Sequence, residues 1–355
     1  MSASVLRRLG LPWKLPFRTG ALLALTVSAA LWGIAAGPLD AGPGAALANL
    51  PAALGFGAAP DPLLAAAILQ LRLPRVVLGL VVGAALAVSG AAMQGIFRNP
   101  LADPGLVGVS SGAALAAVAA IVVGDAAGWS QLAGAWMLPI ASFGGAAVST
   151  LLVSRLSRVD GVTPPAQMLL VGLAVNAFAG AGIGLLSSIA SGPALRELTL
   201  WMYGSLGRVG WPQIALALPP VLLATLAIPF NARALNALLL GDAEAAHVGV
   251  AVEALRRRLI VLVLVAVGGA VALTGIIAFV GLIVPQLIRL REGPDHRRLL
   301  PASALLGGAL LTAADTAART VAAPVELPIG VLTALIGGPF FIGMLLRMRA
   351  RGEFL

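Results

Sequence analysis

The sequence predicts an all-α polytopic membrane protein with about ten transmembrane helices, formed by a single transmembrane domain over residues 1–355. Hydrophobic residues make up 59% of the chain, charged residues only 10%, and the mean hydropathy is +1.00. Soluble domains carry about 25% charged residues. The apolar residues form continuous runs of roughly 20 residues and do not alternate with polar ones, which favours spanning helices over a β-barrel.

Charge-free runs set the predicted spans, which are residues 20–38, 76–97, 106–124, 130–154, 163–190, 211–230, 259–288, 299–314 and 327–346. Since about 20 residues cross the hydrocarbon core, the run at 259–288 is too long for one helix, and Gly268–Gly269 or Gly275 offers a turn. Dividing this run gives ten helices, so both termini lie on one side. The first run follows a basic start, as in a signal peptide, but its length favours a retained helix.

The distribution of Lys and Arg predicts the orientation. With both termini in the cytoplasm, 18 of the 23 Lys and Arg residues fall on the cytoplasmic side, as the positive-inside rule requires. They include Arg7, Arg8, Lys14, Arg98 and Arg351. Five arginines fall on the outer side or within the membrane zone and need another explanation. They are Arg72, Arg75, Arg196, Arg208 and Arg319.

Composition excludes several classes of function. The chain has no cysteine, so thiolate nucleophiles and thiolate metal ligands are absent. Its two histidines, His247 and His296, are far apart in sequence. The formal net charge of +9 comes from loop residues that topology explains, so no nucleic-acid partner is expected. No GxxxxGK[ST] phosphate loop occurs, so the chain cannot hydrolyse ATP alone.

Residues 71–112 combine features that no soluble core needs. Arg72 and Arg75 frame a proline and precede the charge-free stretch Val76–Phe97. A tight polar turn, Arg98–Pro104, then leads into a second apolar stretch with a start rich in glycine and serine. The pattern indicates an outer edge, a crossing helix, a cytoplasmic turn and a re-entering helix whose small residues allow close packing.

The longest predicted cytoplasmic segment is Asn231–Arg258, and it carries the acidic residues Asp242, Glu244 and Glu253. Three leucines followed by Gly241-Asp242 predict a helix, a break and a short amphipathic helix with Asp242 as N-cap. A helical hairpin that lies under a membrane is a docking element for a partner. The alternative is an ordinary solvated loop.

Two further stretches complete the pattern. One is GIIAFVGLIVPQLIRLREGPDHRR, from Gly275 to Arg298, and the other joins Asp315…Arg319, Pro324–Gly330 and the GGPFF of 337–341. Together with 71–112 and 231–258, these stretches resemble the FecCD/BtuC-like permeases of ABC importers for iron–siderophore chelates, heme and cobalamin. The resemblance implies the type II ABC importer permease fold with two related halves. Gln286 replaces a histidine that is usual in the family, and we interpret this position as structural.

The resemblance implies roles for particular residues. Arg72, Arg75 and Arg319 match arginines that pair with glutamates of a periplasmic binding protein, and we expect them to be partly exposed on an outer rim. Helix-end anchors that snorkel to the interface are the alternative. The LGDAEAAHVGV stretch matches the cytoplasmic coupling loop that seats in a cleft of the ATP-hydrolysing subunit. Its candidate contacts are Gly241, Asp242, Glu244, Ala245 and Gly249.

Arg196 is the candidate substrate-pathway residue. The surrounding LRELTLWMYGS stretch resembles the heme-importing subgroup, and an arginine lining a pathway suits heme propionates through bidentate pairing. Two alternatives stay open: Arg196 pairs with Glu197 as a helix-end neighbour, or the substrate is a ferric siderophore or cobalamin.

The resemblance also implies the partners. We expect a second copy of the chain, two ATP-binding subunits that hold ATP and Mg, a periplasmic substrate-binding protein and membrane lipid, all at the bacterial inner membrane. The chain itself is expected to bind no cofactor or metal and to be no enzyme. An ion-coupled secondary transporter would place ionisable groups at mid-membrane, and only Asp315 and Arg319 lie within a span, near one end. A membrane-embedded enzyme would need a catalytic constellation that the sequence lacks.

Overall fold

The computed structural model describes residues 17–37, 42–126, 134–323 and 325–350. Within these ranges the chain is helical, and its β-structure is limited to a single bridge between Val159 and Val162. The all-α prediction is therefore confirmed for the described part of the chain. The N-terminal basic residues Arg7, Arg8 and Lys14, the C-terminal Arg351, and Pro324 of the last motif lie outside the described residues.

The α-helices follow one another along the chain as α1 Phe17–Ala35, α2 Gly42–Ala53, α3 Pro62–Ala67, α4 Leu73–Phe97, α5 Val109–Ala126, α6 Met137–Leu156, α7 Pro165–Ile189, α8 Gly192–Met202, α9 Trp211–Ala227, α10 Ala232–Leu238, α11 Asp242–His247, α12 Val252–Val263, α13 Gly269–Thr274, α14 Val280–Glu292, α15 His296–Thr320 and α16 Ile329–Ala350.

The helices that could cross a membrane fall at the spans predicted from the sequence. Among the described residues, seven helices are long and apolar enough to span a bilayer: Pro62–Phe97, Gly134–Leu156, Pro165–Ile189, Trp211–Leu238, Val252–Thr274, His296–Thr320 and Ile329–Leu346. Thr19–Ala35 and Val109–Gly124 are shorter apolar helices. With the 13-residue α14, these segments correspond to the ten predicted helices, three of them shorter than an ordinary crossing.

Helix α4 is the centre of the bundle. In the most apolar window of the helix Pro62–Phe97, 78% of residues are buried, against 11% for α7 and 17% for α16. Glycines allow this close packing: a Cβ at Gly83 would overlap the carbonyl oxygen of Gly307 on α15, and one at Gly90 would overlap that of Gly281 on α14. The apolar outer faces of α7 and α16 are left for lipid or for another protein chain.

The long run at 259–288 turns at Gly275, as one of the two predicted options. Helix α12 continues through a π-helical turn into α13 and ends at Thr274. Gly275 has φ 73 and Phe279 has φ 68, and the chain between them is non-helical. Gly268 and Gly269 stay helical, and a Cβ at Gly269 would lie only 2.5 Å from Val221 of α9. The glycine pair therefore serves packing, and the turn falls where a left-handed backbone is needed.

The N-terminal helix is integrated into the bundle. Helix α1 packs against α15, and the Thr26 hydroxyl donates a hydrogen bond of 3.0 Å to the carbonyl of Leu305. Between α1 and α4 the chain forms two short helices, α2 and α3, that the sequence reading did not assign. Asp61 caps α3 by accepting hydrogen bonds from the amides of Leu63 and Leu64. A π-helical turn, Ile68–Arg72, then continues directly into α4.

Candidate functional site

Helix α4 joins two charged clusters at opposite ends of the bundle. Its 25 residues span roughly 37 Å at about 1.5 Å per residue. Arg75 lies in its first turn, and Arg98 follows its last residue as a left-handed C-cap with φ 49. We name the two ends the Arg75 end and the Asp242 end, because Arg98 contacts Asp242.

Arg75 is the hub of the first cluster. Its guanidinium binds both carboxylate oxygens of Glu326, with Nη1 to Oε1 at 2.8 Å and Nη2 to Oε2 at 3.0 Å. Nη2 also lies 3.3 Å from Asp315 Oδ1. Gly207 contributes space, since a Cβ there would lie 3.0 Å from the guanidinium carbon. The bidentate geometry is that of a strong arginine–carboxylate pair.

Asp315 links Arg75 to Arg319. Its second oxygen, Oδ2, lies 3.6 Å from Arg319 Nε one helical turn along α15. The carboxylate side chain is only 5% exposed, whereas that of Glu326 is 51% exposed. The buried carboxylate of Asp315 therefore holds both Arg75 and Arg319 in position, whereas the carboxylate of Glu326 faces solvent.

Arg72 and Arg319 hold the end of α1. Arg72 Nη1 donates hydrogen bonds of 2.9 Å to the carbonyls of Ile34 and Ala35, and Arg319 Nη2 donates to that of Gly33. A helix C-terminus has unsatisfied carbonyls and a partial negative charge, and cations there are stabilising. Both side chains are buried, so the expectation of partly exposed rim residues is wrong for these two arginines. Arg75, with 14% of its side chain exposed, is also less open than predicted.

The surface around Arg75 is mixed apolar and charged. A cavity of about 260 Å³ opens beside it, lined by Gln70, Leu71, Val209 and Glu326 among others. Leu71, Val321 and Val325 are exposed at this end. The hydrogen bonds from Arg75 are the largest influence on the pKa of Glu326 and lower it, while partial burial opposes the shift. The Glu326 carboxylate is thus ionised at neutral pH.

At the Asp242 end, the predicted hairpin is present. Helix α10 ends at Leu238 and α11 begins at Asp242. The predicted N-cap is wrong: Gly241, with φ 124, takes the capping position, and Asp242 is the first helical residue. The Asp242 carboxylate points instead to Arg256, with Oδ2 2.5 Å from Nη2, and to Arg98, with Oδ1 3.7 Å from Nη2.

Arg256 anchors the hairpin to α12. It is 1% exposed and also binds Glu253 at 2.9 Å. On the other side, Asn236 of α10 donates a 2.6 Å hydrogen bond to Asp295, the N-cap of α15. Burial raises the pKa of Asp295, but the Arg297 amide and Asn236 outweigh it, so the net shift is downward. Side-chain bonds thus tie the hairpin to α4, α12 and α15.

Exposure separates the five predicted coupling residues. Glu244 and Gly249 are exposed, Asp242 is half-buried in its ion pairs, and Gly241 and Ala245 are buried. Gly241 and Ala245 therefore shape the hairpin and do not form its surface. Sequence reasoning missed the exposed apolar residues Leu240 and Val248, which are 73% and 69% exposed. Their positions on either side of the short α11, within the predicted cytoplasmic segment, are the signal that could have indicated them.

Arg196 lies on α8, at the same end as Arg75. Ser191 caps the helix through a hydrogen bond from the Ala194 amide. Arg196 and Glu197 are both exposed, and the described residues include no ion pair between them. The Glu197 charge acts on Arg208 instead, where partial burial lowers the pKa of the guanidinium and Glu197 opposes the shift. The neighbour-pairing alternative for Arg196 is therefore wrong.

Gln286 and His296 occupy structural positions. Gln286 Nε2 donates a 2.6 Å hydrogen bond to the carbonyl of Pro100, in the turn after α4. His296 begins α15, is fully buried, and contacts Asn236 through its backbone amide and its Nδ1. No group of three or more His, Asp or Glu that could hold a metal occurs in the described part of the chain.

The described residues form a bundle of helices able to span a membrane, with a charged cluster at each end, an architecture found in membrane transport proteins. The profile of the FecCD transport family matches residues 22–347, and the chain belongs to this family. It is the permease subunit of an ATP-binding-cassette transporter and not an enzyme. This assignment also removes the secondary-transporter alternative.

Relatives of known description support the assignment. The chain is 48% identical to the hemin transport system permease protein of Yersinia pestis, over 79% of this chain and 83% of that one. It is 46% identical to the cobalamin import system permease protein of Halobacterium salinarum, over 78% and 72% of the two chains. A solved inward-facing metal-chelate type ABC transporter matches with a TM-score of 0.79 and 31% identity, covering 92% of this chain and 98% of the other.

Proposed function

We propose that this chain, as a homodimer, forms the translocation pathway of an importer for heme delivered by a periplasmic binding protein. Support for heme comes from the 48% identity to the hemin permease and from Arg196. This guanidinium is exposed and outside any ion pair of the described residues. It is available for the bidentate contact that a propionate carboxylate favours. ATP and Mg belong to two partner ATP-binding subunits.

Cobalamin is the second candidate substrate. The identity to the cobalamin permease is 46% over 78% of the chain, close to the value for the hemin permease. Ferric siderophores are a third class for the same scaffold. Heme carries two propionate carboxylates, whereas cobalamin carries amides and a single phosphodiester, so the carboxylate contact proposed for Arg196 is specific to heme.

Substrate-stimulated ATPase activity tests the proposal. The chain is reconstituted in proteoliposomes with the ATPase and binding-protein subunits of the same organism, and hemin, cyanocobalamin and a ferric siderophore are compared. Of the three ligands, we expect only hemin to stimulate ATP hydrolysis. We also expect Arg196→Gln to reduce hemin transport more than Arg208→Gln does. Stimulation by cyanocobalamin without hemin stimulation would replace the heme assignment by the cobalamin one.

The Arg75 end is proposed to receive the binding protein. Arg75 lines a cavity beside exposed apolar residues, and arginine is enriched at protein interfaces. Arg72 and Arg319 contribute by holding α1 and Asp315 in place, so their role in docking is support and not direct contact.

The Asp242 end is proposed to receive the ATPase. Leu240 and Val248 offer exposed apolar anchors, and Glu244 and Gly249 complete the exposed face. The ion pairs of Asp242 to Arg98 and Arg256 connect the hairpin to the end of α4 and to α12. Movement of the hairpin by ATP binding and hydrolysis is thereby passed to the helices of the bundle.

These roles fit a protein of the bacterial inner membrane with both termini in the cytoplasm. The Asp242 end carries Arg98, Arg256, Arg289, Arg297 and Arg298, in agreement with the positive-inside rule. The apolar outer faces of α7 and α16 are proposed to face lipid and the second copy of the chain.

A further inference from the structure

The arginine at the centre of the proposed docking surface is already bound to a carboxylate of its own chain. Arg75 and Glu326 form two parallel contacts of 2.8 and 3.0 Å. This is the same fork geometry that an acidic side chain of a partner protein would use. A carboxylate of a partner protein can therefore bind Arg75 in this geometry only if Glu326 leaves it.

The two carboxylates on Arg75 differ in how firmly they are held. Asp315 lies within helix α15, is 5% exposed, and contacts both Arg75 and Arg319. Glu326 lies in the connection between α15 and α16, its side chain is 51% exposed, and within the described part of the chain it forms one ion pair, with Arg75. Displacing Asp315 would leave a buried charge without its partners, whereas Glu326 can turn into solvent at little cost.

We propose that Glu326 is an internal competitor for the docking partner: the partner that fits this surface presents a carboxylate that replaces Glu326 on Arg75. Asp315 keeps the guanidinium in place during the exchange. The inference rests on the proposed docking role of the Arg75 end. A partner carboxylate already belongs to that role, and the inference adds that this carboxylate has to displace Glu326 to reach Arg75.

Chemical modification of Arg75 tests the exchange without the partner. The detergent-solubilised full chain is treated with phenylglyoxal, and modification of Arg75 is followed by peptide mass spectrometry. Tetraglutamate peptide is added as the carboxylate probe, and the concentration that halves the modification rate is measured. In E326Q we expect faster modification, and half-protection at about fivefold lower peptide concentration, which is the scale of a partly exposed ion pair.

Matched variants make the result specific. E197Q removes the same charge at the same end of the bundle from a residue that is not on Arg75, and should stay within about twofold of the wild type. E326D keeps the charge on a shorter side chain and should lie between the wild type and E326Q, which provides a second test if E326Q folds poorly. Equal half-protection in the wild type and in E326Q, or an equal shift in E197Q, overturns the competitor role.

The peptide-protection experiment tests the competitor role of Glu326, and a separate transport experiment tests the docking role of the Arg75 end. If Arg75→Glu leaves transport intact, the proposed docking role fails even where the peptide competition behaves as expected. If Arg75→Glu abolishes transport and E326Q does not change peptide protection, docking stands and the competitor role fails.

Discussion

Arg75 and Arg98 lie at the two ends of one buried helix, with Glu326 on the first and Asp242 near the second. Helix α4 packs through glycine contacts against α15 and α14, and this one continuous helix joins the two charged clusters. In the proposed function, the binding protein and the ATPase would act on opposite ends of this helix.

Reversing the charge of Arg75 tests docking. In Arg75→Glu, the guanidinium that holds two carboxylates is replaced by a third negative charge. We expect transport in proteoliposomes to fall below about a tenth of the wild type, while the basal ATPase activity of the assembled complex stays measurable. Arg208→Glu, at the same end, is the control. Full transport by Arg75→Glu would contradict the docking assignment.

Arg72 should behave differently from Arg75. Arg72→Ala removes the charged donor to two terminal carbonyls of α1, and hydrogen bonds to charged groups contribute about 1.5–3 kcal/mol. We expect a lower thermal unfolding temperature in detergent for Arg72→Ala than for Arg196→Ala, whose side chain is exposed and outside any ion pair of the described residues, whereas Arg75→Ala is judged by transport. The reverse order would show that the α1 carbonyls do not depend on Arg72.

Apolar contacts should dominate the ATPase interface. Leu240→Asp and Val248→Asp place a charge on exposed positions, so we expect normal expression and thermal stability but loss of ATPase co-purification. Val159→Asp, on another exposed loop position, is the matched control. Retention of the ATPase by both hairpin variants would remove the hairpin from the interface.

Helix packing at α4 should tolerate no added methyl group. In Gly83→Ala the new Cβ overlaps backbone atoms of α15, and overpacking of this kind costs about 1–3 kcal/mol. Gly144→Ala is the paired control, because no atom lies within 4 Å of the added Cβ and alanine favours a helix by about 0.5–1 kcal/mol. Relative to the wild type, we expect the thermal unfolding temperature to fall in Gly83→Ala and to rise slightly in Gly144→Ala.

The Arg75–Glu326 pair predicts a pH dependence. The pKa of Glu326 is lowered from its ordinary value of 4.5, so its stabilising contribution is complete above pH 4.5 and is lost as the pH falls through the lowered pKa. The difference in unfolding temperature between the wild type and Glu326→Gln should therefore be present at neutral pH and vanish in acid. A difference that grows on acidification would contradict the pair.

Much of the fold follows from local signals. Charge-free runs of about 20 residues define the long helices, and Gly275 marks the break in the longest run because its backbone adopts φ 73. The hairpin at 232–247 was also predictable, since three leucines, a glycine and an acidic residue read as a helix, a turn and a helix.

The burial of the arginines could not be predicted, because their acceptors are distant in sequence. Arg72 binds carbonyls 37 and 38 residues away, and Arg319 binds one 286 residues away. Every residue carries a backbone carbonyl, so the residue types at 33–35 do not indicate that they accept these hydrogen bonds. Asp315 and Arg319, spaced by one helical turn, are the part of the cluster that the sequence does indicate.

The position of Asp242 could not be predicted from the local sequence, because its carboxylate binds an arginine on another helix. An aspartate before a short helix is a good N-cap, but Arg256 lies 2.5 Å from its carboxylate. The glycine before it adopts φ 124, a conformation closed to other residues, and frees Asp242 to enter the helix.

The charges at the Arg75 end also bear on how fast a partner associates. The cluster of Arg72, Arg75 and Arg319 with two carboxylates, in their ordinary ionised forms, has a net charge of only +1, and Arg196, Arg208 and Glu197 at the same end bring the sum to +2. Long-range attraction scales with net charge and decays over about 10 Å at 0.1 M salt. The association rate of an acidic partner should consequently respond weakly to ionic strength, and selectivity arises after contact, in the lifetime of the complex.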